Sequence, residues 1–313
     1  MKKVWIGLGI ALSYIFIVGF FFTNMMMYIK KRSDEEILER ETLDGHYVQK
    51  DFDELKKAEV SIPSDFGYDI KGYLVAPYQS DQFVIICHGV TVNRYNSVKY
   101  MNLFLKRGYN VLIYDHRRHG ESGGKTTSYG HYEKYDLRSV VHWLKENYGQ
   151  HITLGIHGES MGSVTMLLYA GMLEDGADFY IADCPFDSLE KQLLFRLKEE
   201  FRIPGFLVMP IARPFLKWRD GYSLKDVSPI HVIDQIGHPV LFIHSRDDAY
   251  IPSDSSKLLY EKKNGLKKLY FAEKGDHAMS YTENREEYER IVDEFLGEIQ
   301  TTERAGAANN TLQ

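Results

Sequence analysis

Two cysteines, Cys87 and Cys184, are all this chain of 313 residues contains. Standing near the ends of separate strand-like runs, they can build neither a disulfide framework nor a four-ligand metal site, and both read as small buried apolar groups. A basic excess is missing as well. Five of the 38 basic residues and none of the 44 acidic ones fall in the first 32 positions, which leaves 33 against 44 and a net charge of −11 on the rest. An acidic body of this kind offers no footprint for nucleic acid, and anionic lipid repels it weakly. No internal repeat occurs, which excludes a stacked array of small units. No small-x-small cleavage site follows the first apolar run, which argues against a removable signal peptide.

That apolar run, Val4 to Ile29, is the longest in the chain, and its notable polar side chains are Ser13, Tyr14, Thr23, Asn24 and Tyr28. It is long enough to cross a bilayer as a helix. Lys2-Lys3 and Lys30-Lys31-Arg32 flank it, so residues 4–29 are expected to form a retained single-pass anchor in the cell membrane. The short stretch before the span puts the amino terminus inside and the body on the extracytoplasmic side. With an acidic body, the anchor is what holds the protein at the membrane.

The remainder predicts one domain of about 250 residues. Residues 33–57, charged with loosely helical apolar spacing, suit a juxtamembrane spacer that stands the domain off the bilayer. From residue 58 to 300, short apolar runs alternate with helical patterns. The runs Ala58 to Ser64, Asp69 to Ala76, Phe83 to Cys87, Asn110 to Tyr114, Ile152 to Ile156, Phe179 to Ala182, Val240 to Ile243 and Lys268 to Phe271 predict about eight strands. The later runs lack polar alternation, as strands buried on both faces do, so the fold class is α/β with a mostly parallel sheet. Residues 186–222 break the rhythm, with Leu189, Leu193, Leu197 and Phe201 recurring every four positions. They form either a helical cap whose apolar face lines an acyl pocket or an insertion that only packs on the sheet. The small polar tail, 301–313, predicts disorder.

Gly158-Glu159-Ser160-Met161-Gly162 follows the Ile152 run and reads as a G-x-S-x-G elbow. Small residues on both sides allow the sharp strand-to-helix turn that pushes the Ser160 hydroxyl outward. In an open α/β sheet, ligands meet the carboxyl ends of the strands. Two other stretches sit there: His244 to Pro252 after the Val240 run, and Gly275 to Ser280 after the Lys268 run. His277 is the expected base, since an imidazole can take the serine proton and return it to a leaving group. The third member must fix the imidazole tautomer, and Asp247, Asp248 and Asp183 compete for that role. The backbone N–H of Met161 is one expected oxyanion donor by the elbow's geometry.

Together with His88-Gly89-Val90-Thr91 and Asp115 to Ser122, these stretches are similar to those of the α/β-hydrolases over about Lys57 to Leu296. The chain most resembles the bacterial esterase, lysophospholipase and serine-aminopeptidase-like members, several of which carry an amino-terminal anchor. The resemblance implies the α/β-hydrolase fold, selects Asp248 as the third member, and points to the N–H of Val90 as the second oxyanion donor. Arg118 and Ser245 depart from it, each standing where the family often has glycine. His88 and Asp115 read as loop-bracing residues, and Tyr95, Tyr114 and Tyr129 as pocket candidates. The roles imply no metal and no organic cofactor. The expected activity is a serine hydrolase that cleaves lipophilic or lysophospholipid-like carboxylic esters through an acyl-enzyme on Ser160. A peptidase or amidase of the same fold, or a non-catalytic binding protein, is the alternative. Nothing in the sequence specifies an oligomer.

Overall fold

A computed structural model describes residues 1–310. Its centre is one sheet built from β1 (Lys57–Pro63), β2 (Asp69–Val75), β3 (Gln82–Cys87), β4 (Asn110–Tyr114), β5 (Thr153–Glu159), β6 (Phe179–Asp183), β7 (Val240–Ser245) and β8 (Lys267–Ala272). The spatial order is β1-β2-β4-β3-β5-β6-β7-β8. β1, β2 and β4 pair antiparallel, and every pair from β4 through β3 to β8 is parallel. The helices are α1 (Lys2–Met27), α2 (Asp34–Leu43), α3 (Gln49–Glu54), α4 (Val98–Leu105), α5 (Glu133–Tyr148), α6 (Met161–Met172), α7 (Leu189–Phe201), α8 (Gly205–Asp220), α9 (Asp254–Lys262), α10 (Ser280–Glu283) and α11 (Arg285–Asn310).

The unbroken apolar runs have a direct physical cause. Along β3, Phe83, Ile85 and Cys87 enter one core while Val84 and Ile86 enter another on the opposite face. α5, α6 and α9 cover the first face; α4 and α11 cover the second. A strand sandwiched in this way has no solvent face to demand polar residues. β8 ends the sheet half-exposed, and its Lys267 and Lys268 discourage edge-to-edge pairing.

A third apolar cluster lies apart from these two. It joins Leu197 of α7 and Val208, Met209 and Leu216 of α8 to Val164 and Leu168 of α6 and to Met26 and Met27 of α1. Residues 189–220 thus form a helix pair over the carboxyl end of the sheet. α1, of 26 residues, is apolar and long enough to cross a membrane.

Two expectations need correction. Residues 33–57 do not stand the domain off: α2 and α3 pack onto it, burying Ile37, Glu41, Tyr47 and Phe52. The charged pattern concealed this because Glu41 is buried with partners, His46 at 3.0 Å and Asn96 at 2.8 Å. The tail is not irregular from residue 301 either, since α11 runs to Asn310. Thr301 and Thr302 bond back to carbonyls one turn earlier at 2.8 and 2.9 Å, and the Glu, Arg and Ala that follow favour helix. Residues 311–313 lie outside the described residues.

Candidate active site

β5 ends at Glu159 and α6 begins at Met161, so Ser160 alone makes the turn between them. It does so at φ +53° and ψ −115°, a conformation that non-glycine residues rarely adopt. The two glycines explain why the turn closes. A Cβ on Gly158 would lie 2.5 Å from Gly162 and Ser163 backbone, and one on Gly162 would collide with the Cys87 carbonyl at the end of β3. The Ser160 N–H is held by the Asp183 carbonyl at 2.9 Å, which ties the elbow to β6.

Two loops from neighbouring strands meet this serine. The Ser160 Oγ lies 2.9 Å from His277 Nε2, and His277 Nδ1 lies 2.7 Å from Asp248 Oδ2. Asp248 Oδ1 accepts the N–H groups of Tyr250 at 2.9 Å and Ile251 at 2.7 Å. Burial works against its charge, but bonds from His244 and His277 hold its carboxyl well below the usual carboxylate range. Asp247 is exposed on the turn. Asp183 accepts instead from Tyr100 and Tyr288, at 3.1 Å each, and burial beside Glu159 pushes its pKa up to about 6. Of the three competing aspartates, the geometry brings Asp248 to the imidazole. Asp276, which sequence reasoning passed over, fastens the two loops together by accepting from Ala249 N–H at 3.0 Å and His277 N–H at 2.8 Å.

Val90 and Met161 both line the space at Ser160. The loop carrying Val90 is braced as expected. His88 donates from Nδ1 to the Gly89 carbonyl at 2.6 Å and accepts the His116 N–H on Nε2 at 2.9 Å. Burial keeps this ring neutral, with its pKa well below the ordinary value. Asp115 accepts the Arg94 and Glu121 N–H groups at 2.8 and 3.0 Å and pairs with the Arg94 guanidinium at 2.7 Å. The two departures from the family pattern both acquire partners. Arg118 sits at φ +59°, donates to the Ile29 carbonyl at 3.0 Å and lies over the Tyr28 ring. Ser245 Oγ bridges to Ser280 Oγ at 3.0 Å, linking β7 to the segment after His277.

Three cavities converge here. One of about 630 Å³ exposes Ser160 and His277 and is rimmed by Arg32, Arg40, Asn96 and Met279. A narrow one of about 40 Å³, walled by Val90, Ser160, Met161 and Ile251, leads away beneath α7. It shares Tyr129, Leu193, Arg196 and Tyr250 with a mainly apolar chamber of about 430 Å³ between α7, α8 and the end of α1. Phe22, Met26, Leu197, Val208, Met209 and Leu216 line that chamber. Of the three tyrosine candidates, Tyr129 lies on this path, while Tyr114 bonds to Cys87 beneath the sheet end and Tyr95 packs on Phe52. Arg32 comes from the basic flank of the first apolar run and Arg40 from the segment read as a spacer, and nothing in a single sequence marks either for the site.

Cys184, Asp248 and His277 bring ligand-type atoms within 4.8 Å of one another. Burial pushes the Cys184 thiol well up, so it stays protonated. The Asp248 oxygens and both imidazole nitrogens already have partners. The group therefore has no free set of metal ligands.

Comparison with known proteins agrees with this architecture. Residues 82–207 match the family model described as the alpha/beta hydrolase fold. The chain is 57% identical over 297 residues to the uncharacterized protein YqkD of Bacillus subtilis, covering 95% of this chain and 97% of that one. It is 25% identical over 202 residues to a lysophosphatidylserine lipase of Danio rerio, covering 62% of this chain and 50% of the relative, so it spans about half of that protein's length. A solved esterase of Pyrococcus furiosus superposes with a TM-score of 0.65 at 27% identity, covering 80% of this chain and 96% of that structure. A mostly parallel sheet, a strained serine at the end of its fifth strand and these relatives lead to one conclusion: the chain belongs to the α/β-hydrolase superfamily.

Proposed function

We propose that this hydrolase is a serine esterase that cleaves lipophilic, single-chain carboxylic esters of the lysophospholipid type through an acyl-enzyme on Ser160. The observation that carries the reading is the continuous relay from Ser160 Oγ to His277 at 2.9 Å and from His277 to Asp248 at 2.7 Å, with a narrow passage from Ser160 sharing its far wall with an apolar chamber. As Ser160 Oγ attacks the ester carbonyl, His277 Nε2 takes its proton, and Asp248 stabilises the imidazolium. The carbonyl oxygen becomes an oxyanion facing the backbone N–H groups of Val90 and Met161, each worth roughly 10²–10³ in rate. His277 then protonates the leaving alcohol. Water, deprotonated by the same ring, attacks the acyl-enzyme and releases the carboxylate. The chamber holds the acyl chain, and the wider cavity with Arg32 and Arg40 takes the polar alcohol portion. The lipase and esterase relatives support an ester substrate. α1 is the single-pass anchor in the cell membrane, with the body on the extracytoplasmic side.

A fluorophosphonate probe is expected to label wild-type protein and not Ser160→Ala. Turnover of acyl esters should fall by several orders of magnitude in that variant while its melting temperature is kept. Equal kcat/KM for short and long acyl chains would remove the lipophilic part of the proposal. Labelling that persists in Ser160→Ala would remove the nucleophile.

A further inference from the structure

We infer that the amino-terminal half of α8 lies within the bilayer beside α1, so that two apolar helices, not one, hold the body on the membrane. The inference rests on the reading of α1 as a membrane span. It comes from the register between the two helices. The Tyr14 hydroxyl donates to the Leu207 carbonyl at 3.3 Å. Phe16 and Phe20 each meet the Phe215 ring edge-on at 5.7 Å, and Phe20 meets Trp218 at 6.1 Å. Arg219 bonds to Thr23 and, at 2.7 Å, to Asn24. Both sets of numbers rise together, so the helices run side by side in the same direction. Gly19 permits the close approach, since a Cβ there would sit 2.5 Å from the Phe215 ring.

This register sets the depth of α8. At 1.5 Å per residue, Tyr14 lies roughly 18 Å from Lys2 and roughly 20 Å from Met27 along α1. The hydrocarbon core is about 30 Å thick. Any placement that carries α1 across the core therefore leaves Tyr14, and Leu207 beside it, inside the hydrocarbon.

The composition of α8 fits that position. Gly205 to Ala212 carries no charged residue, whereas Arg213, Lys217, Trp218 and Arg219 follow in its second half. Phe206 is 74% exposed and Trp218 is 68% exposed in the protein alone. An apolar end with an aromatic and basic end is the distribution that a helix needs when it descends from headgroups into lipid. The charged end of α7 does not conflict with this. Phe201 packs against Phe22 at 5.7 Å, near the exit of α1, which leaves Lys198, Glu199 and Arg202 close to the headgroups. The apolar chamber, walled by Phe22 and Met26 on one side and Val208 and Met209 on the other, then opens where both helices leave the bilayer. Its occupant comes from lipid.

Depth-resolved fluorescence of the full-length protein in phosphatidylcholine vesicles tests this. The three tryptophans are Trp5, Trp143 and Trp218. A variant keeping only Trp5 reports on α1. A second, with all three replaced by phenylalanine and Phe206→Trp added, reports on α8. Acyl-brominated lipid should at least halve the emission of both, and aqueous acrylamide should affect neither. Quenching of Phe206→Trp by acrylamide but not by brominated lipid, with Trp5 still lipid-quenched, overturns the inference alone. Failure of lipid to quench Trp5 overturns the anchor reading and this one with it. A functional arm uses Phe206→Asp with Leu207→Asp, neither of which lines the chamber. Hydrolysis of p-nitrophenyl palmitate presented in vesicles should fall about tenfold or more, with p-nitrophenyl acetate turnover unchanged. Equal loss on both substrates, or loss on neither, overturns the inference.

Discussion

Ser160 keeps its strained turn only because glycine occupies the two places where the backbone crosses itself. Gly162→Ala would drive a methyl group into the Cys87 carbonyl, and backbone cannot swing aside as a side chain can. We expect a loss of about 1–3 kcal/mol in stability from such overpacking, together with a larger loss of probe labelling. Urea unfolding and labelling kinetics read the two separately. Asp248 makes a prediction about pH. Its folded-state pKa is depressed by His244 and His277 against the opposing effect of burial, so its contribution to stability is complete above the unfolded value of about 3.9 and declines as pH falls below it. Asp248→Asn should flatten this acid limb of the urea midpoint and, by leaving the imidazole in the wrong tautomer, lower kcat about 10⁴-fold. A wild-type midpoint that is flat down to about pH 3 would contradict the argument. Ser160 and His277 were legible because short motifs follow strands in a fixed order, whereas only the resemblance to the α/β-hydrolases separated Asp248 from Asp247 and Asp183. Arg118 was legible only as a departure, and its meaning needed coordinates. A non-glycine residue at φ +59° costs energy, and here its side chain reaches Ile29 and Tyr28 at the exit of α1.

Between elements, the elbow is supported from below by buried charge. Lys99 of α4 lies 2.6 Å from Glu159 at the end of β5, and Tyr100 lies 2.9 Å from the same carboxylate. Burial opposes the ammonium, but Glu159 and Glu41 raise its pKa above the ordinary lysine value. Lys99→Met would strand the buried Glu159 carboxylate without its cation, at a cost of about 3–5 kcal/mol. Adding Glu159→Gln should recover part of the loss in a double-mutant cycle, because the uncompensated charge is then removed. Strictly additive losses would argue that the pair does not interact. None of this was visible in the pattern of residues. Apolar runs announce a strand because burial on both faces leaves one composition, whereas a buried lysine and two buried glutamates look in sequence like any solvated face. The same ambiguity made α2 read as a spacer, although its Glu41 is sealed against His46 and Asn96.

At the scale of the whole molecule, the number of strands, their mostly parallel character and the division into apolar amino-terminal helix, body and helical insertion follow from periodicity and length. The relation between those parts does not, since it depends on which surface the chain touches as it leaves α1. Three ties fix that relation. Lys31 donates to the Arg118 carbonyl, Arg118 donates to the Ile29 carbonyl, and the Arg32 N–H is held by Thr91 at 2.9 Å, next to Val90. With α1 read as a membrane span, the body cannot swivel on a leash; its height and facing are set. For the lipophilic ester proposed above, substrate then arrives by two-dimensional diffusion within one leaflet. The quantity that governs turnover becomes the mole fraction of ester in the surrounding lipid, and diluting the vesicles in buffer should leave the rate per enzyme unchanged.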